Sequence, residues 1–151
     1  VAAAVFRKNT RRFLRNMYRT KFWLENDNLE PSGHSIVDYA ETERTAGELL
    51  MSEDDLDVFV SAFEKGGFVA PCNWYRNFTR NWEITEGVAQ NIIHPSLMIY
   101  GEHDMVRPVD MSSHVDDLEI QTFECGHWIQ QEKPDETNAI LLDWLDRKMR
   151  L

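Results

Sequence analysis

Apolar positions recur at two different periods along the chain, and the change falls near residue 82. Residues 1 to about 23 carry Phe6, Phe13 and Met17 on one helical face, with Thr10 between them and Leu14 and Tyr18 widening the stripe. Residues 25 to 47 are polar and poorly periodic, with Pro31-Ser32-Gly33 as turn chemistry and His34 in a loop. They predict a loop with at most one short helix. Leu56, Phe59, Val60 and Phe63 return to helical spacing behind Ser52, a cap whose partner is Asp55, and Lys65-Gly66-Gly67 closes that helix. From Pro71, Trp74, Phe78 and Trp82 fall at i, i+4 and i+8 and predict one packed helical face, with Tyr75 about 100° around from Trp74.

Beyond Trp82 the pattern shortens. Leu97-Met98-Ile99-Tyr100 and Ile120-Gln121-Thr122-Phe123-Glu124 read as buried strands, the first entered at Pro95. A short helix is expected over Met111–Asp117. A final helix is expected from Pro134, with Thr137, Ile140, Leu141, Trp144, Leu145 and Met149 facing the sheet. Helix and strand in alternation predict a parallel sheet. The fold class is therefore α/β, with a helical region over residues 1-82 and a strand-containing region over 83-151. Two strands cannot cover both of their faces, so further strands are expected from outside these residues.

Composition removes several function classes. The chain has 151 residues, 42% hydrophobic and 11% aromatic, enough for a real core. A net charge of -10 argues against a nucleic-acid partner, which needs clustered cations. The one basic cluster, Arg7 to Arg19, reads as a solvated helix face. Two cysteines, Cys72 and Cys125, are too few for a disulfide framework and lack metal-ligand spacing, so no metal is expected. They read as reduced thiols of a cytoplasmic protein. No apolar run approaches transmembrane length, so no membrane partner is expected. The chain opens on Val1-Ala2-Ala3-Ala4, without a signal-peptide pattern and as if cut from something longer.

The candidate chemistry lies at the strand ends. The first strand runs into Gly101-Glu102-His103-Asp104 and the second into Cys125-Gly126-His127-Trp128. The C-terminal edge of an open α/β sheet is where ligands and catalytic groups sit. An Asp followed by a His in those places fits the orienting acid and base of a nucleophilic hydrolase. The nucleophile is missing: neither a G-x-S-x-G nor a comparable Asp elbow occurs in the sequence.

Asn73-Trp74-Tyr75-Arg76-Asn77, Gly101-Glu102-His103-Asp104 and Cys125-Gly126-His127-Trp128 together resemble the soluble, α/β-hydrolase-fold epoxide hydrolases. The resemblance covers essentially the whole chain and aligns it with the C-terminal half of the family, most of the helical cap included. It implies a cap over 1-82 and the C-terminal part of the core over 83-151. It also implies the family's reaction. An Asp carboxylate attacks an epoxide carbon to form an ester, two cap tyrosines assist ring opening, and a His oriented by an acid activates water to release a diol. Tyr75 matches a cap tyrosine, Asp104 the acid and His127 the base. Trp128, Met105 and Trp74 match positions beside the substrate. The implied partners are a small apolar epoxide, water and the N-terminal half of the fold, with no cofactor. The family's H-G-x-P motif and nucleophilic Asp are absent, and Tyr18 and Tyr39 do not match the second cap tyrosine. The chain alone is therefore expected to be inactive. Two alternatives stand beside this: a haloalkane or haloacetate dehalogenase or esterase of the same fold, and a non-catalytic binding or dimerisation module, a homo-oligomer among its forms.

Overall fold

A computed structural model describes residues 1–20, 36–43, 47–104, 106 and 108–148. The chain forms two compact units, Val1–Val88 and Ala89–Leu151.

The first unit is helical. The opening helix expected to run unbroken is two: α1 (Ala2–Lys8) and α2 (Thr10–Met17). Asn9 between them leaves helical geometry, at φ -130° and ψ 40°. The cause is local, since Thr10 donates its hydroxyl back to the carbonyls of Phe6 and Arg7, at 3.3 and 3.2 Å. The apolar stripe nevertheless packs as its spacing dictates. Phe6 stacks on Phe13 with centroids 4.2 Å apart, and Phe68 meets Phe6, Phe13 and Phe63. Asn16, like Thr10, is a polar residue buried in this core. Its amide donates to the carbonyls of Tyr39 and Thr42, both at 2.8 Å, and so ties α3 (Asp38–Glu41) to α2. Tyr39 itself is buried.

Helix α4 (Glu53–Gly66) begins with the expected capping box: Ser52 Oγ accepts from the Asp55 amide at 3.1 Å, and Asp55 accepts from the Ser52 amide at 3.3 Å. Gly67 ends it at φ 71°, a conformation that disfavours side chains. Ser52→Ala removes one of these two bonds and is expected to cost about 1 kcal/mol in urea unfolding of the full chain. The basic face of α2 is paired rather than solvated alone. Arg11 and Arg15 reach Glu53, Arg11 also bonds Asp57, and Arg12 bonds Glu43.

The Trp74, Phe78 and Trp82 face corrects the expectation of one packed helix. The segment is interrupted at Asn77, giving α5 (Val69–Arg76) and α6 (Phe78–Ile84). The three side chains are 73%, 56% and 75% exposed. Helical spacing assumes an unbroken helix and does not supply a partner for the face it predicts.

The second unit carries the sheet. Strands β1 (Ser96–Gly101) and β2 (Leu118–Phe123) pair in parallel, from Ser96 opposite Leu118 to Gly101 opposite Phe123. The helix expected over Met111–Asp117 does not form. The Asp110 carboxylate accepts from the Ser112 amide, a local bond that competes with helix. A single turn closes on the Met111 carbonyl, and Val115 then bridges Ile92 in parallel. Nor are the strands buried: β1 is half-buried up to Gly101, and Ile120 in β2 is exposed. Two strands present more apolar face than one helical layer covers. Helices α7 (Ile129–Glu132) and α8 (Pro134–Lys148) follow, and Lys133 separates them.

Helix α8 is tied to β2 and the residue before it by charge. Arg147 bonds Glu119 at 2.8 and 3.0 Å, and Lys148 bonds Asp117 at 2.7 and 2.8 Å. The Arg147 guanidinium holds the Glu119 carboxyl down to about 2. The contribution of this pair is in place above the ordinary carboxylate range and is lost as pH falls toward 2. Among the described residues no helix is long and apolar enough to cross a membrane.

Candidate active site

The parallel register brings the two strand ends level, with Gly101 opposite Phe123. Hydrogen bonding continues past the strands and keeps the two following loops together. The Glu102 amide donates to the Phe123 carbonyl at 2.8 Å, and the His103 amide donates to the Cys125 carbonyl at 3.0 Å. Gly101 is required for this approach. A Cβ there would stand 2.2 Å from the Gly126 carbonyl oxygen and 2.9 Å from that of Cys125.

The loops deliver Asp104 and His127 to each other. His127 Nδ1 lies 2.9 Å from Asp104 Oδ1 and 3.1 Å from Oδ2. The Val106 amide also donates to Asp104 Oδ1, at 2.9 Å. The Asp104 side chain is 12% exposed and that of His127 35%. An ionised carboxylate only accepts, so the contact assigns the ring proton to Nδ1 and leaves the lone pair on Nε2. That tautomer suits a general base. The Trp128 ring stands edge-on to His127 with centroids 5.0 Å apart.

Comparison with known proteins bears on this geometry. No protein-family profile matches the chain. A crystal structure of epoxide hydrolase A from Mycobacterium thermoresistibile superposes with a TM-score of 0.81 at 31% identity, over 97% of this chain and 49% of that one. The bifunctional epoxide hydrolase 2 of Sus scrofa is 34% identical over 158 aligned positions, which cover 99% of this chain and 28% of the pig protein. The chain is a relative of the α/β-hydrolase-fold epoxide hydrolases. Epoxide hydrolase A of Mycobacterium tuberculosis is 38% identical over 102 positions, 63% of this chain and 32% of that protein. The chain thus spans about half the length of the solved epoxide hydrolase and under a third of these two curated relatives. Its fold class is α/β, a part of the α/β-hydrolase fold.

Among the residues that the epoxide hydrolase motifs single out, the structure brings together Asp104, His127 and Trp128. Tyr75 and Trp74 belong to the Val1–Val88 unit, both on α5 and both exposed. The Tyr75 ring meets Phe78 edge-on at 5.6 Å, and Arg76 donates to Asn73 at 2.8 Å within the same motif. Met105 lies outside the described residues, as does His34.

One neighbour of the His127 loop was not legible from spacing. The Gly126 amide donates to both carboxylate oxygens of Glu132, each at 3.0 Å. Glu132 sits in α7, a helix that the pattern of apolar residues did not announce. Its contact is with backbone, which no side-chain motif records. Cys125 is buried, and that burial, with the Glu132 carboxylate adding to it, pushes its thiol up to about 11. It is therefore a packing thiol and no nucleophile at neutral pH. With a thiol reagent at pH 8 the native chain is expected to react at half-buried Cys72 and to yield Cys125 only after unfolding. Rapid modification of both would contradict the packing described.

Proposed function

We propose that the chain is the C-terminal portion of an epoxide hydrolase and supplies the base, its orienting acid and one ring-opening tyrosine. The observation that carries this is the His127–Asp104 hydrogen bond at the ends of two adjacent parallel strands. It occurs in a chain whose solved relative is an epoxide hydrolase over 97% of its length. In this reading residues 1-82 form the cap and 83-151 the end of the core.

The reaction runs in two steps. A carboxylate from the N-terminal half attacks one epoxide carbon, the C–O bond breaks, and Tyr75 donates a hydrogen bond to the oxygen that leaves. An alkyl ester and an alkoxide result, and the alkoxide takes up a proton. His127 Nε2 then draws a proton from water, and the hydroxide attacks the ester carbonyl. The acyl C–O bond breaks, the imidazolium returns its proton to the departing alkoxide to give the vicinal diol, and the acyl group, now a carboxylic acid, ionises to the starting carboxylate. Asp104 holds the Nδ1 proton and stabilises the imidazolium as it forms. Trp128 beside His127 and Trp74 beside Tyr75 favour an apolar epoxide as substrate. The chain without its partner half lacks the nucleophile and does not turn over. The same reading keeps the enzyme in the cytoplasm, with Cys72 and Cys125 as thiols.

The test is diol formation from an apolar epoxide by the complete enzyme that carries this chain, set against halide release from a haloalkane of similar size. Diol formation with little halide release supports the reading. Faster halide release would transfer the chain to the dehalogenases, where Trp74 would be the halide donor.

A further inference from the structure

The Cys125–Gly126 peptide lies between the two catalytic loops and is hydrogen-bonded at both ends. Its carbonyl accepts from the His103 amide at 3.0 Å, one residue before Asp104. Its N–H donates to Glu132 at 3.0 Å, one residue before His127. Gly101 lets the loops come this close, since a Cβ there would stand 2.9 Å from the Cys125 carbonyl oxygen of the same peptide. The peptide is thus held at both ends, by backbone at its carbonyl and by the Glu132 carboxylate at its N–H. Glu132 supplies the side-chain bond, which substitution can remove while the backbone bond at the other end stays in place. A charged acceptor on one end of a peptide also polarises it and strengthens the bond at the other end.

We propose that Glu132 is a positioning residue for the His127–Asp104 pair, acting through the Cys125–Gly126 peptide. Its carboxylate fixes the peptide that precedes His127, and the same peptide fixes the amide that precedes Asp104. The distance between imidazole and carboxylate is therefore set in part from α7. Glu132 acts through the Gly126 amide, so its role is positioning and it has no step of its own in the reaction. The proposal rests on the hydrolase reading for its effect on rate, but its effect on the imidazole is independent of that reading.

The test has a spectroscopic arm and a kinetic arm, with three variants. Glu132→Gln keeps an acceptor, Glu132→Leu keeps the volume without one, and Glu132→Ala separates loss of the acceptor from crowding. In the full chain, 15N shifts of the His127 ring report the tautomer, and the Nδ1 proton reports its exchange. The parent and Glu132→Gln are expected to hold the Nδ1–H form with a slowly exchanging proton. Glu132→Leu and Glu132→Ala are expected to mix tautomers and exchange faster, about 10-fold, because opening of the bond is no longer resisted. In the complete enzyme the same two variants are expected to lose about 10- to 100-fold in kcat for ester hydrolysis with KM nearly unchanged. Glu132→Gln is expected to restore most of that rate. An unaltered His127 signature in folded Glu132→Leu or Glu132→Ala overturns the proposal. So does a loss in Glu132→Gln as deep as in Glu132→Ala, since the acceptor would then not be what matters. An altered signature together with a parent enzyme that opens no epoxide leaves the positioning role standing and rejects the hydrolase reading instead.

Discussion

His127→Gln, in the complete enzyme that carries this chain, is expected to form the ester at nearly the parent rate and then stall. Hydrolysis of the ester is expected to fall about 100- to 10,000-fold, the range for losing a general base. Asp104 keeps its bond from the Val106 amide, and Gln is close to the imidazole in reach. What it lacks is a basic lone pair where Nε2 stands. The attack on the epoxide precedes any need for that lone pair, and the two steps separate in time. Rapid-quench measurements are expected to show one epoxide consumed per site at once, with diol following far more slowly. Steady turnover at the parent rate would make His127 a packing residue beside Trp128 and remove the base from the mechanism.

Tyr75→Phe is expected to act on the other step. An opening epoxide leaves an alkoxide, a poor leaving group unless a donor meets it in the transition state. A phenol is such a donor and a benzene ring is not. Ester formation is expected to slow about 10- to 1000-fold, or roughly 1.4–4 kcal/mol of transition-state stabilisation. The second cap tyrosine expected from the N-terminal half sets the lower end of the range. Stability is expected to change little. The side chain is 66% exposed, and the edge-on contact with Phe78 involves the ring, which Phe retains. Single-turnover alkylation and thermal unfolding of the same variant separate the two effects. Unchanged alkylation would leave Tyr75 without a role in ring opening.

What the sequence disclosed and what it hid divide along one physical line. Patterns carried by side chains were readable. The Ser52–Asp55 box, the glycine stop at Gly67 and the aromatic stripe of Phe6 and Phe13 are all local or periodic. The two strands were readable as well, and with them the placement of Asp104 and His127 beyond neighbouring strand ends. Side-chain bonds to backbone outside such a capping box were not readable. Thr10 breaks the first helix by bonding to carbonyls, Asn16 holds α3 by its carbonyls, and Glu132 holds an amide. Each is a polar residue whose type permits many roles, and only the folded chain selects one. The Trp74, Phe78 and Trp82 face fails differently. Its spacing assumed one helix, but the chain breaks at Asn77, and burial depends on what lies opposite: these residues are exposed. The half-exposed strands are the same case, since a sheet's interior is defined by its neighbours.

The two-step mechanism makes one measurement decisive. His127→Gln in the complete enzyme, mixed with excess apolar epoxide and taken directly to intact-mass spectrometry, should gain the full mass of one epoxide. Ring opening expels no fragment, so nothing is lost from the adduct. Peptide mapping should place that mass on a carboxylate outside residues 1–151. An unmodified protein, or an adduct formed only with a haloalkane and lighter by the departed halide, would contradict the assignment of this chain to an epoxide hydrolase.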